Sequence, residues 1–160
     1  MTGVLIKTDL SDISNAAQRL NGLTKPKSPL MQQIARVLRE TTRERFETQK
    51  DPTGKVWQKG HKKSGLTLMG KSQNLRDSIE AKSDETSATV GTNRIYGGIH
   101  QTGGVIKAKR AKFLRFKING QWVMRKSITM PARPFLGISE ADKEAINHII
   151  NDHLNGALNA

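Results

Sequence analysis

The sequence from residue 99 to residue 137 begins Ile-His-Gln-Thr-Gly-Gly-Val-Ile and ends Met-Pro-Ala-Arg-Pro-Phe-Leu-Gly. Between these ends, strand-like residues flank Asn119-Gly120, the dipeptide most typical of a two-residue β-hairpin turn. Such a turn places Ile118 opposite Gln121 and fixes the pairing of all the residues before and after them. The pattern therefore predicts a hairpin at residues 112–130, about which the rest of the fold is organised.

The two faces of this predicted hairpin differ in chemistry. One face carries the apolar residues that alternate along the strands. The other face carries two cations and two large apolar side chains, namely Arg115, Lys117, Trp122 and Met124. A hairpin on the surface of a monomer gains little from Trp and Met on its second face, whereas one that packs between subunits buries them. A cation–π pair on a solvent face is the alternative interpretation.

Charge is distributed unevenly along the chain. The 160 residues carry a net charge of +13, yet no Asp or Glu occurs from residue 86 to residue 139. Within this acid-free block, four cations lie just before the hairpin or at its first residue, namely Lys107, Lys109, Arg110 and Lys112. So large a charge predicts a polyanionic or acidic neighbour, with a solvated basic surface as the alternative. An aromatic content of 4% argues against a single-strand binder that stacks bases on aromatic rings.

The composition also excludes several classes of protein. The absence of Cys rules out disulfides, thiolate metal sites and Cys nucleophiles, and it fits a reducing compartment. The first ten residues lack the charged start and apolar core of a signal peptide. No run approaches the ~18 apolar residues of a membrane span. We therefore expect the protein in the cytoplasm.

Helical periodicity marks three segments outside the hairpin. The first is Asp12–Leu20, the second runs from the Ser28-Pro29 start signal to about Thr48, and the third begins at Ser139 and ends at Gly156. The apolar face of the second helix is predicted to comprise Met31, Ile34, Ala35, Leu38, Thr42, Arg45 and Phe46. The buried face of the last helix is predicted to comprise Ala145, Ile146, Ile149, Ile150 and Leu154.

The sequence between the second predicted helix and the hairpin predicts a loop and a short sheet. Residues 49–73 form a basic loop, which Trp57 anchors to the core. Two short antiparallel strands follow, joined at Asp84-Glu85, and residues 95–100 form one helical turn. The inward-facing residues of the strand pair are predicted to be Ile79, Ala81, Ala88 and Val90. The prediction is a single α+β domain over residues 1–160: an antiparallel sheet with a projecting β-hairpin, packed against N-terminal and C-terminal helices.

Catalytic constellations are not evident in the sequence. The four histidines, His61, His100, His148 and His153, form no metal-binding pattern, and no phosphate loop or nucleophile elbow occurs. His100 is a general base in principle, but no acid or nucleophile is near it in sequence. The sequence therefore predicts no enzyme, no metal and no cofactor. An enzyme would require a carboxylate to fold beside His100.

Three motifs carry a family resemblance. They are Asp51-Pro52-x-Gly54-x-x-Trp57, Val90-Gly91-Thr92-Asn93 leading to Tyr96-x-x-Ile99-His100-Gln101-x-Gly103-Gly104, and Pro131-Ala132-Arg133-Pro134-Phe135-Leu136-Gly137. In this order they resemble the phage virion morphogenesis family, the tail-completion proteins of contractile-tailed phages such as Mu. The resemblance covers roughly residues 28–155. Where the family usually shows Thr-Gly-x-Leu, this chain has Met69-Gly70 and a longer run to Leu75.

The resemblance implies a structural role in the virion. It implies tail completion and head–tail joining in the neck or tail-terminator region, by a homo-oligomeric ring that contacts tail-tube or neck proteins and surrounds packaged DNA. The implied locations are the virion and, during assembly, the host cytoplasm. The candidate interface residues are Trp122, Met124, Arg115, Lys117, Arg133 and Phe135. For Arg133, held between two prolines, the alternative is a buried Arg that satisfies backbone carbonyls. A sequence-independent nucleic-acid-binding protein is the competing hypothesis.

Overall fold

The computed structural model describes residues 4–6, 28–60, 66–69, 73–118 and 120–158. The helices are α1 (Ser28–Thr48), α2 (Asn74–Asp77), α3 (Gly97–Thr102) and α4 (Glu140–Leu158). The strands are β1 (Val4–Ile6), β2 (Ile79–Ser83), β3 (Ala88–Thr92), β4 (Gly104–Lys107), β5 (Leu114–Ile118), β6 (Gln121–Arg125) and β7 (Ser127–Met130). The helix predicted at Asp12–Leu20 lies outside the described residues.

The described strands form three small antiparallel sheets. The first has the order β1-β3-β2, the second pairs β4 with β7, and the third pairs β5 with β6. In the first sheet β2 and β3 are in register from Ile79 opposite Thr92 to Ser83 opposite Ala88. The predicted α+β class is confirmed. Strand β1 is not predicted from the sequence, because three residues are too few to show a periodicity.

The core lies between α1, α4 and the first sheet. All seven residues predicted for the apolar face of α1 are buried, as are the apolar residues at the centre of the predicted α4 face. Phe46 of α1 packs edge-on against Trp57, with 5.5 Å between ring centroids, and lies 5.4 Å from the ring of Phe135. Each fully buried side chain of this size stabilises the fold by about 1.5–3 kcal/mol.

Two helix boundaries differ from the sequence prediction. Helix α4 continues through Gly156 to Leu158, because a glycine lowers helix stability by only about 1 kcal/mol and does not by itself end a helix. The helical turn expected at residues 95–100 lies at Gly97–Thr102 instead. None of the described helices is both long enough and apolar enough to cross a membrane.

A buried ion pair joins the end of α1 to the start of α4. Arg45 donates through Nη1 to the carbonyl oxygens of Phe135 at 3.0 Å and Gly137 at 2.9 Å, and through Nη2 to the Asp142 carboxylate. Asp142 is fully buried and also accepts hydrogen bonds from the backbone N–H and the hydroxyl of Ser139, both at 2.7 Å. Ser139 caps α4 in return, since its Oγ accepts from the Asp142 N–H at 3.1 Å.

The pH dependence of stability provides a test of this cap. Burial acts to raise the pKa of Asp142, but the hydrogen bonds from Ser139 and the charge of Arg45 outweigh it, so the pKa lies below its ordinary value. The unfolded chain then binds the proton more readily, so the carboxylate's contribution is present above about pH 4 and is lost as the pH falls further. We expect Asp142→Asn to be less stable than wild type at pH 7, by a margin that shrinks at pH 3.

The measurement is urea unfolding of both proteins between pH 3 and pH 7. Asp152→Asn, which removes an exposed carboxylate from the same helix, is the matched control. If the difference in unfolding free energy between Asp142→Asn and wild type is the same at every pH in this range, the ionisation of Asp142 does not contribute to stability.

Candidate assembly interface

Residues 104–130 form a two-stranded ribbon, here named the arm. Its base is the pair β4–β7, and its outer part is the pair β5–β6. Only Lys126 separates β6 from β7, whereas residues 108–113 separate β4 from β5, so one strand of the ribbon bulges. The outer strands make their main contacts with each other. The arm therefore projects from the body of the fold.

The register of the outer hairpin agrees with the prediction at every position. Ile118 lies opposite Gln121, and the pairing continues to Leu114 opposite Arg125. Gly120 has a φ of 86°, as a two-residue turn requires, and Asn119 lies outside the described residues. The predicted difference between the two faces is therefore also present.

The basic-aromatic face of the arm exposes large apolar side chains. Trp122 and Met124 are each 57% exposed. The guanidinium carbon of Arg115 lies 4.2 Å from the centroid of the Trp122 ring, and the Nζ atom of Lys117 lies 4.8 Å from it. Exposed cation–π contacts contribute about 0.5–1 kcal/mol, less than the burial of a large side chain. The cation–π pair is thus real, but it leaves most of this apolar surface uncovered.

The net charge of the described chain comes from the arm. The arm contains eight cations and no Asp or Glu: Lys107, Lys109, Arg110, Lys112, Arg115, Lys117, Arg125 and Lys126. The described residues outside the arm contain twelve Lys or Arg and twelve Asp or Glu, and are formally neutral. The four ion pairs among the described residues all lie outside the arm. The arm therefore carries a concentrated positive charge that no ion pair with a described Asp or Glu neutralises.

Gln101 fixes the root of the arm to the core. Its Oε1 accepts from the backbone N–H groups of Phe135 and Leu136, both at 3.0 Å, and its Nε2 donates to the Leu136 carbonyl at 2.9 Å. These three bonds join α3, which leads into β4, to the segment that follows β7. Sequence reasoning did not assign this role. The sequence signal for this role was the position of Gln101, a polar residue between two glycine pairs, Gly97-Gly98 and Gly103-Gly104, that set the backbone conformation.

Arg133 and Phe135 lie inside the subunit, which corrects the expectation that they face a partner. Phe135 is completely buried and Arg133 is 4% exposed. Arg133 donates from Nε to the Gln58 carbonyl at 2.8 Å and from its backbone N–H to the His100 carbonyl at 2.7 Å. The physical reason is the extended Pro131–Pro134 segment, which lies between α3 and the loop of Trp57 and directs these side chains inward. The alternative interpretation of Arg133 is the correct one.

Trp57 anchors its loop as predicted. It is 5% exposed and donates from Nε1 to the Pro134 carbonyl at 2.9 Å. Gln49 holds the other end of the loop, because its Oε1 accepts from the Thr67 N–H at 2.6 Å. His61 and its neighbours to residue 65 lie outside the described residues.

His100 has no catalytic partner among the described residues. It is half-buried, and its pKa is lowered by burial and by the nearby charge of Arg133. Its Nδ1 is buried and unpaired, and the Tyr96 ring lies edge-on at 6.2 Å. No group of three or more His, Cys, Asp or Glu residues in the described part could hold a metal ion.

Gly103, at the root of the arm, is expected to tolerate no side chain. Its φ is 68°, and a Cβ atom there would lie 2.7 Å from the Ala132 backbone nitrogen. At Gly54, where φ is 86°, a Cβ atom would meet nothing within 4 Å. We expect Gly54→Ala to lower the free energy of unfolding by about 1–2 kcal/mol and Gly103→Ala by about 1–3 kcal/mol more. Urea unfolding of the two variants measures the difference, and equal losses would contradict close packing at Gly103.

Comparison with known proteins gives the class to which this fold and arm belong. The phage virion morphogenesis family matches residues 8–155, and the chain belongs to that family. The resemblance stated from the three motifs is therefore confirmed.

Two curated relatives come from Haemophilus influenzae. Mu-like prophage FluMu G protein 2 is 32% identical over 142 residues, which cover 89% of this chain and 88% of the relative. Mu-like prophage FluMu G protein 1 is 26% identical over 137 residues, which cover 78% and 77%. No solved structure matches the chain. The chain is thus a virion morphogenesis protein with similarity to Mu-like G proteins, from a structural family that is generally non-enzymatic.

Proposed function

We propose that the chain completes the phage tail and helps to join it to the head, in the neck or tail-terminator region of the virion. The observation that carries the proposal is the arm. It projects from a body whose described residues are formally neutral, it carries eight cations that form no ion pair with a described acid, and it exposes Trp122 and Met124. The described residues offer surfaces for contact and no catalytic set. The mechanism is assembly by protein–protein contacts.

The proposed partners follow from the two kinds of surface on the arm. An isolated two-stranded ribbon is at best marginally stable in water, so covering its apolar surface stabilises it. We propose that the first partner is a further copy of the chain, in a homo-oligomeric ring, and that the ring contacts a tail-tube, terminator or neck protein. The cations at Lys107, Lys109, Arg110 and Lys112 face packaged DNA in the lumen or an acidic partner. Assembly takes place in the host cytoplasm before the protein enters the virion.

Light scattering tests this proposal. Mass is measured across protein concentrations, at low and high salt, with and without purified tails. We expect either a ring or a monomer that joins tails. A protein that stays monomeric and does not sediment with tails would overturn the assembly function.

A second candidate function is sequence-independent binding of nucleic acid. The eight acid-free cations of the arm favour it, because each phosphate neutralised releases a counterion. It predicts tight DNA binding by the monomer, with an affinity that falls steeply as salt increases. The assembly function predicts weak DNA binding by the monomer. DNA titration at two salt concentrations therefore separates the two candidates.

A further inference from the structure

The acids of the described body are not spread evenly over it. Of the twelve described Asp and Glu residues, those that form an ion pair with a described cation are Glu40, Glu47, Glu140 and Asp142. Half of the others lie close together in the sequence, at Asp77, Glu80, Asp84 and Glu85. These four side chains are exposed, and Lys82 is the one cation between them in the sequence. The stretch from residue 77 to residue 85, which contains strand β2 and the start of the turn into β3, is here named the acidic segment.

The remaining acids without a described ion pair are less concentrated. Glu44 and Asp51 each directly follow a cation in the sequence, which offsets their charge locally. Glu144 and Asp152 lie on α4, about two turns of the helix apart. The acidic segment is therefore the strongest concentration of negative charge on the described body.

The arm carries a matching concentration of positive charge between its base and its outer part. Residues 108–113, which join β4 to β5, are here named the bulge. Within the bulge Lys109, Arg110 and Lys112 are all exposed, and none of them forms an ion pair with a described acid. The bulge exposes no large apolar side chain, whereas the basic-aromatic face exposes Trp122 and Met124. The bulge is therefore suited to a polar, negatively charged surface.

The bulge and the acidic segment do not pair within one subunit. Strand β2 makes its main contacts with β3 and α1, and the strands of the arm make theirs with one another. None of the four ion pairs among the described residues joins the arm to the acidic segment. Both surfaces are therefore open to a second molecule.

The charge of the whole chain favours this pairing between copies. Copies that each carry a net charge of +13 repel one another, so a contact between them requires locally complementary surfaces. Two arms placed together would bring only cations into contact, because the arm contains no Asp or Glu. An arm that meets the acidic segment of another copy places opposite charges together instead.

We propose that the bulge of one subunit binds the acidic segment of the next copy of the chain. This inference rests on the proposed function, because it names the acidic partner that the cations of the arm meet. Bulge and acidic segment are different surfaces of one chain, so the contact is heterologous and repeats from copy to copy toward a ring or a filament. Charge pairs of this kind determine which surfaces meet, and the faces of the arm remain for other contacts.

Charge reversal on each side tests the contact. The segment-reversed variant carries Glu80→Lys with Glu85→Lys, and the bulge-reversed variant carries Lys109→Glu with Lys112→Glu. Each variant places like charges opposite one another, so we expect each to self-associate at least about tenfold more weakly than wild type. Light scattering across protein concentrations, without DNA, measures the association. The urea midpoints should match that of wild type, because all four replaced side chains are exposed.

A chain with both pairs of reversals gives the sharpest result. Its bulge is negative and its acidic segment is positive, so the two surfaces are complementary again. We expect this chain to self-associate about tenfold or more tightly than either variant alone. If the association does not recover, the proposed contact is wrong.

Glu144→Lys with Asp152→Lys is the matched control for the segment-reversed variant. It changes the net charge of the chain by the same amount, at two exposed positions on α4. We expect it to self-associate more tightly than the segment-reversed variant and close to wild type. Equal weakening of the two variants would show that net charge, rather than this contact, controls association.

DNA titration of the same variants shows whether the bulge meets nucleic acid instead. In that case the bulge-reversed variant loses DNA binding, while the segment-reversed variant self-associates as wild type does. That combination would overturn the contact between copies.

The outcomes distinguish failure of this inference from failure of the proposed function. If wild type assembles or joins tails and the segment-reversed variant does so equally well, the contact is wrong and the assembly function stands. If wild type neither self-associates nor joins tails, the proposed function fails, and the contact fails with it.

Discussion

Replacing Arg45 with methionine is expected to lower the free energy of unfolding by about 3–5 kcal/mol, because it leaves a buried carboxylate without its partner. Asp142 is completely buried, and its Oδ1 already lacks a hydrogen-bond partner in the structure. The Phe135 and Gly137 carbonyls also lose the donor that they share. Methionine has a similar length, so the loss reflects charge and hydrogen bonding more than volume. Urea unfolding at pH 7 measures it.

Arg39→Met is the control for this result. Arg39 pairs with Glu40 on the same helix at 2.7 Å, but the side chains are 35% and 54% exposed. Exposed pairs contribute about 0–1 kcal/mol, so this variant should stay close to wild type. The double variant Arg45→Met with Asp142→Asn should be less destabilised than the sum of its parts. Similar losses for Arg39→Met and Arg45→Met would refute the role of the buried pair.

Both Trp122 and Phe135 were interface candidates from the sequence, but alanine is expected to act differently at the two positions. Phe135→Ala should lower the stability of the subunit, whereas Trp122→Ala should weaken its association. Phe135 is fully buried, and Phe135→Ala should lower the free energy of unfolding by about 3–5 kcal/mol. Trp122 is 57% exposed, so Trp122→Ala should change it by about 1 kcal/mol or less. At an interface, loss of a central Trp weakens association by about 2 kcal/mol or more, about 30-fold.

The two measurements for these variants are urea unfolding and the concentration at which subunits associate or join tails. Met124→Ala, on the same face and equally exposed, serves as a second probe of the surface. If Trp122→Ala assembles as wild type does, the basic-aromatic face of the arm is not one of the assembly contacts. That result would leave the apolar face of the arm as a candidate assembly surface.

Local patterns in the sequence were sufficient for most of the architecture. The 3.6-residue period of α1 predicted its buried face, including polar Thr42 and charged Arg45. The Asn119-Gly120 turn predicted the whole register of β5 and β6, because a two-residue turn places the residues on either side of it opposite each other and so permits only one pairing of the two strands. These features depend on residues a few positions apart, whose geometry the backbone dictates.

The candidate site was predictable only in part. The arm, its charge and its two faces follow from the sequence between residues 104 and 130. The burial of Arg133 and Phe135 does not, because in an extended Pro-bounded segment the environment of a side chain depends on what packs beside it. Arg45 is a charged residue on the predicted apolar face of α1, and that position was the one sequence signal that it has a buried partner.

The sequence by itself determined the helices, the hairpin register and the concentration of positive charge in the arm. Only the tertiary structure decided that Arg45 meets Asp142 across 97 residues and that Gln101 binds the backbone 34 and 35 residues away. It also decided which aromatic side chains remain exposed. The physical reason is that periodicity and turn chemistry act between neighbours in the chain. Pairing of buried polar groups is selected by desolvation, which acts only once distant segments have packed together.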